Sequence, residues 1–143
     1  MSLKNEYAEL LNEALKVRMN AYVPYSKYKV GAALLCKDGK VYTGCNIENA
    51  AFSPTVCAER VAFFNAVKDG EREFVAIAVV AGDEGNRKLD YASPCGVCRQ
   101  VMTEFCDDNF DIILARIDEN NKIDEYKVMT LDDILPLRFK NYK

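Results

Sequence analysis

The chain contains no histidine, so its chemistry is built without the commonest metal ligand and proton shuttle. Two stretches offer another route: "SPTVCAERVAFF" over 53–64 and "SPCGVCRQVMTEF" over 93–105. Each puts a Cys shortly after a Ser-Pro pair, at the expected start of a helix. Backbone N–H groups lack partners there and the helix dipole is positive, which favours the thiolate that binds metal. Cys95 and Cys98, three apart, share one helix face, and Cys57 takes the matching place in the first turn of the other helix. Three thiolates from two facing helix starts make a Zn²⁺ ligand set with one tetrahedral position open, as in catalytic zinc sites. Cys106 lies roughly 12 Å further along its helix and is out of reach. Cys36, Cys45 and Cys106 are read as small buried hydrophobes.

An open zinc site activates water near neutral pH, and the water proton needs an acceptor. Without His that task falls to Glu59, two residues past Cys57. Arg60, one turn beyond Cys57 on the same face, is placed to donate to the ligand sulfurs and drain their charge. Taken singly, each residue has an ordinary explanation. A Cys-x-x-Cys also fits a redox dithiol or half a zinc knuckle, Glu59 a solvated carboxylate, and Arg60 a surface ion pair. A redox pair usually follows the first strand of a βαβ unit, whereas this one follows the third strand. The combination favours hydrolytic zinc chemistry.

The elements that must carry these residues are legible in outline. Leu3, Tyr7, Leu10, Ala14 and Val17 mark one face of a helix over about 3–20. "KVGAALLC" and "KVYTGCNI" flank Asp38-Gly39, a two-residue hairpin signal. A second helix is expected over 54–69, with Ser53 as N-cap, Pro54 at the first helical position and Gly70 as the stop. "FVAIAVVAG" reads as a strand buried on both faces, followed by a polar loop and a third helix over 94–105. "FDIILARI" and "KIDEYKVM" are two further strands. Thr130 and Asp133 form a capping box on a short last helix that ends at Pro136. The order α-β-β-α-β-α-β-β-α, without linker or repeat, predicts one domain over 1–143. It is an α/β fold, a three-layer α/β/α sandwich around a five-stranded mixed sheet.

A net charge of −3 spread over 143 residues gives no basic face for a phosphate backbone, which argues against nucleic-acid binding. The absence of any run resembling a signal peptide or membrane span implies no membrane partner and a cytoplasmic location. Six cysteines in a reducing cytosol are then free or metal-bound rather than disulfide-linked.

A metal ligand two before a Glu, followed by Pro-Cys-x-x-Cys, is the zinc-deaminase signature in its all-Cys form. With "PYSKYKVGAALL", "GCNIENA", "CAER" and "SPCGVCRQV" in order and at family spacing, the sequence resembles the small homotetrameric cytidine deaminases over nearly its whole length. The resemblance implies one zinc per chain on Cys57, Cys95 and Cys98, with Glu59 shuttling protons. It implies ribose recognition by Asn46 and Glu48, an aromatic wall at Tyr28 where Phe is usual, and a substrate contact at Ala58. Phe139, in "ILPLRF", would reach a site in a neighbouring subunit. The implied reaction is hydrolysis of cytidine or 2′-deoxycytidine to the uridine and ammonia, in pyrimidine salvage. Lys29, Phe52 and Ser53-Pro54 depart from the family pattern, but none touches the ligands or Glu59. The rivals are a blasticidin-type deaminase, a nucleic-acid cytosine editor, and a non-catalytic zinc module with a filled fourth position.

Overall fold

The apolar run over 75–82 can avoid water only between two layers, and it becomes the middle of a sheet. The computed structural model describes residues 3–140. In chain order these form α1 (Asn5–Arg18), β1 (Tyr28–Cys36), β2 (Val41–Cys45), α2 (Ala58–Lys68), β3 (Phe74–Asp83), α3 (Gly96–Phe105), β4 (Asp111–Ile117), β5 (Ile123–Thr130) and α4 (Leu131–Ile134). The sheet order is β2-β1-β3-β4-β5. β3 and β4 pair in parallel, and the other neighbours pair antiparallel. α3 is the crossover that a parallel pair requires.

Side-chain alternation divides the core in two. Ala32 and Leu34 of β1, Ile77 and Val79 of β3, and Ile112 and Leu114 of β4 pack with Ala58, Ala62, Phe63, Cys98, Met102 and Leu131, so α2, α3 and α4 cover one face. Ala33, Leu35, Ala76, Ala78, Val80, Ile113 and Ala115 meet Tyr7, Leu10, Leu11 and Ala14 of α1 on the other. The expected three-layer sandwich around a five-stranded mixed sheet is therefore present.

Both cysteine-bearing helices begin later than the Ser-Pro signals suggest. α2 starts at Ala58 and α3 at Gly96, so Cys57 and Cys95 are N-caps rather than first-turn residues. Upstream of α2, Val56 exchanges two backbone hydrogen bonds with Ile47, at 3.0 and 3.1 Å, which holds the chain extended up to Cys57. The Cys95 sulfur itself caps α3, accepting from the Cys98 N–H at 3.5 Å. Three other details differ from the sequence reading. The buried face of α1 ends in Arg18 rather than Val17. Arg18 is anchored on the carbonyls of Lys29, Gly82 and Asp83. Between β1 and β2 the Cys36 N–H bonds to the Lys40 carbonyl and closes a loop of three residues, 37–39, with Gly39 at φ +95°, so a type I turn with a bulge replaces the two-residue turn. Of the three cysteines read as buried, Cys36 is buried, while Cys45 and Cys106 are half-buried. The capping box of Thr130 and Asp133 is observed.

α2 rests directly on β2 because Gly44 has no side chain. A Cβ there would collide with the Ala58 carbonyl and lie 2.6 Å from the Ala62 nitrogen, backbone atoms that cannot rotate away. Gly44→Val is therefore expected to destabilise the fold by about 2–3 kcal/mol or more, read as a lower urea midpoint. A wild-type midpoint would show that α2 can slide without cost.

Candidate active site

The two helix starts meet at the end of the sheet where β3 finishes and β1 begins, the two strands pairing there through Tyr28 and Asp83. The Cys57 sulfur lies 3.7 Å from that of Cys95, and Cys95 lies 3.6 Å from Cys98. All three sulfurs fall within 4.8 Å of one another. Zinc–sulfur bonds of 2.3 Å in a tetrahedron put neighbouring sulfurs about 3.8 Å apart, so the thiols already stand at the spacing of three corners around one cation. Cys36, Asp38 and Glu71 form another cluster of possible ligands. It lies at the opposite end of β1, remote from the motifs.

Charge is arranged to suit a cation. Donation from the Cys98 thiol, the Arg60 guanidinium and the Cys95 thiol outweighs burial and holds the Cys57 thiol well below the ordinary range. The Cys98 thiol is pushed up by its bond to Cys57 and by burial. The first negative charge therefore settles on Cys57, and a bound cation would displace the remaining protons. Arg60 Nη2 stands 3.5 Å from the Cys57 sulfur, while its buried Nε has no hydrogen-bond partner among the described residues.

Glu59 is only 4 % exposed. Burial, aided by the neighbouring Cys57 charge, pushes its carboxyl up to about 7, where it can both take and return a proton near neutrality. A cation held by the three thiols would draw that value down.

A cavity of about 330 Å³ opens over these residues, lined by Tyr28, Asn46, Glu48, Cys57, Glu59 and Cys95, among others. The fold thus brings together residues from four separate motifs. Asn46 spends part of its amide on the fold: its Oδ1 accepts from Val30 N–H at 2.9 Å, and its Nδ2 donates to the Tyr28 carbonyl at 2.8 Å. One N–H and one lone pair remain for a ligand. Glu48 Oε1 accepts the Tyr25 and Ser26 N–H groups, both at 3.1 Å. Hydrogen bonds from Ser26 hold its carboxyl below the usual range. Ala58 is fully buried as the first residue of α2, and its side chain does not line the cavity. Phe139 is 78 % exposed and lies outside its own chain's cavity, its carbonyl held by Gln100 Nε2 at 2.8 Å. Two lining residues, Ser26 and Ser93, escape a reading for reactive groups. Their only signal is their place inside "PYSKY" and "SPCGVC".

Three thiols spaced for one cation, with a buried carboxylate beside them in a cavity wall, define a metal-dependent hydrolytic site on an α/β/α sandwich. Residues 4–113 match the model of the cytidine and deoxycytidylate deaminase zinc-binding region. The chain belongs to that family of zinc-binding deaminases. It is 56 % identical to a cytidine deaminase of Sporosarcina psychrophila over 109 residues, 76 % of each chain. The crystal structure of cytidine deaminase from Burkholderia pseudomallei superimposes with a TM-score of 0.80 at 41 % identity, covering 96 % of this chain and all of that one. A blasticidin-S deaminase of Bacillus cereus is more remote, 32 % identical over 117 residues, 80 % of this chain and 79 % of that protein.

The raised Glu59 carboxyl carries a consequence for the metal-free protein. Its folded value, about 7, lies above the ordinary 4.5. Its contribution to stability is therefore complete below 4.5 and is lost as the pH rises through 7. Metal-free Glu59→Gln should exceed metal-free wild type in thermal midpoint by more at pH 8 than at pH 5. Equal differences at the two pH values would show that Glu59 is not the titrating group.

Proposed function

We propose that this protein hydrolyses cytidine and 2′-deoxycytidine to uridine and 2′-deoxyuridine with release of ammonia, using one zinc ion held by Cys57, Cys95 and Cys98. The observation that carries this reading is the single cavity in which Cys57, Cys95 and Glu59 meet Asn46, Glu48 and Tyr28, with the Cys98 sulfur 3.6 Å behind that of Cys95. When bound, zinc supplies Lewis acidity that makes water a nucleophile near neutral pH. Glu59 takes a proton from that water and delivers it to ring N3, which makes C4 electrophilic. The water oxygen adds to C4. Glu59 then carries the second water proton to the departing amine, so that cytidine and water become uridine and ammonia. Arg60 draws charge from the Cys57 sulfur. Tyr28 packs against the pyrimidine ring, and Asn46 and Glu48 receive the ribose hydroxyls; Ala58, buried between the cavity-lining Cys57 and Glu59, is carried as a substrate contact by the family resemblance alone.

The cavity chemistry favours a nucleoside over its phosphate. A second cavity of about 340 Å³ adjoins the first through Ser26, Glu48 and Thr55. The described residues lining the two include the carboxylates of Glu48 and Glu59 and no cation. A homotetramer completes the reading, with Phe139 entering a neighbour's site. Large apolar side chains left in water support it, Phe52 at 85 % exposure and Leu137 fully exposed. A cytoplasmic place in pyrimidine salvage accords with six free cysteines, which suit a reducing compartment. No helix among the described residues is long and apolar enough to cross a membrane.

Cytidine incubated with the protein should lose its ultraviolet band. Activity should disappear on chelation and return with zinc. Glu59→Ala should keep its zinc and lose roughly 10²–10⁴-fold in kcat; turnover retained in that variant removes Glu59 from the mechanism. Turnover of blasticidin S without turnover of cytidine would transfer the assignment to that substrate. Cytidine 5′-monophosphate should show a kcat/KM lower by about a hundredfold, because its phosphate faces Glu48; equal efficiency would exclude that orientation.

A further inference from the structure

Arg99 follows the proposed ligand Cys98 by one residue, yet its guanidinium is bonded to oxygens rather than to the thiols. Nε donates to the Pro94 carbonyl at 2.7 Å, Nη2 to Ser93 Oγ at 2.9 Å and Nη1 to the Ile134 carbonyl at 2.5 Å. All three acceptors are neutral oxygens, so the side chain serves as a planar fork rather than as a counter-charge. We propose that Arg99 is a positioning residue for the metal centre and the cavity wall. It locks the segment that delivers Cys95 to both α3 and the C-terminal segment. This rests on the reading of Cys57, Cys95 and Cys98 as the metal-binding set.

The lock acts through backbone torsions. The Pro94 carbonyl belongs to the peptide unit that leads into Cys95, and that unit is planar. Fixing the oxygen orients the plane, and Pro94 has little freedom of its own in φ. Only the Cys95 φ and χ1 then separate the anchored plane from the sulfur. Cys95 caps α3 with that same sulfur, so the anchored plane and the helix start determine its position jointly. Ala92 and Ser93, immediately upstream, line the cavity, so the same lock shapes the wall. The third arm satisfies a carbonyl at the end of α4 that has no helical partner. A second tie runs from Gln100 Nε2 to the Phe139 carbonyl. Two successive residues after Cys98 thus bind the metal-bearing helix to the C-terminal segment. Lys at position 99 would keep the charge but could not span three acceptors in one plane.

The test loads the full-length protein with Co²⁺ and reads the thiolate-to-cobalt and d–d bands. Zinc transfer to a chromogenic chelator and cytidine kinetics are measured in parallel. Arg99→Lys is expected to shift and weaken the tetrahedral cobalt bands, to release zinc about tenfold faster, and to raise KM more than it lowers kcat. Ser93→Ala, which removes one of the three bonds, should move the cobalt bands in the same direction by less. Wild-type bands, release rate and KM in Arg99→Lys would overturn the proposal. Should Arg99→Lys not fold, Ser93→Ala decides: altered bands support the lock, and unaltered bands overturn it. A wild type that binds Co²⁺ tetrahedrally but leaves cytidine intact would strike the substrate assignment alone, because the metal readouts do not depend on it.

Discussion

The structure depends on bringing two helix starts, 38 residues apart in the chain, close enough for three sulfurs to surround one cation. Each sulfur reaches its neighbour at 3.6–3.7 Å, a separation that would repel if all three were ionised without a metal. The surrounding architecture serves that meeting. The parallel β3–β4 pair forces a crossover, and α3 must therefore start beyond the carboxyl end of β3. The Val56–Ile47 bridge keeps the chain extended until Cys57, so α2 begins at the same end. Gly44 lets α2 settle against β2 without an intervening side chain.

That convergence has an electrostatic cost, which the site distributes. A carboxyl buried beside a thiolate is pushed towards neutrality, and the Cys57 charge is tolerated because Cys98, Arg60 and Cys95 donate to it. The metal-free site is thus a poised arrangement whose protons leave when a cation arrives, which couples metal binding to stability and to pH. Residues outside the thiol cluster complete the frame. Arg60 meets sulfur directly, whereas Arg99 acts through a peptide plane.

The polar groups assigned to the sugar illustrate a second economy. Asn46 clips the start of β1, and Glu48 gathers the backbone of the 25–26 turn. Residues that would contact a ligand are thereby fixed before one arrives, limiting the ordering needed on binding. Both residues line the same cavity as Glu59. The proposed recognition and the proposed chemistry thus share one corner of the sheet.

Much of this was legible from residue types alone. A continuous apolar run fixed the central strand, since only a doubly covered strand can bury both faces. Cys-Ala-Glu and Cys-Gly-Val-Cys specified a histidine-free metal site, because thiolate and carboxylate are the groups that can replace imidazole in ligation and proton transfer. Helix boundaries were less legible: Ser-Pro is a good local start signal, but Ser53 and Pro54 lie in a turn closed by the Thr55 N–H on the Phe52 carbonyl and Val56 is bridged to Ile47, while Arg99 holds Ser93 and Pro94 ahead of α3. Arg18 was hidden for a similar reason, since a charged residue on an apolar helix face finds its partners only in carbonyls of β1 and β3. The sequence by itself determined which atoms could bind a cation and move a proton. Tertiary structure alone decided that they meet, that Glu59 is dry enough to titrate near neutrality, and that Asn46 and Glu48 stand beside it. Distance, burial and peptide orientation arise from contacts between segments far apart in the chain.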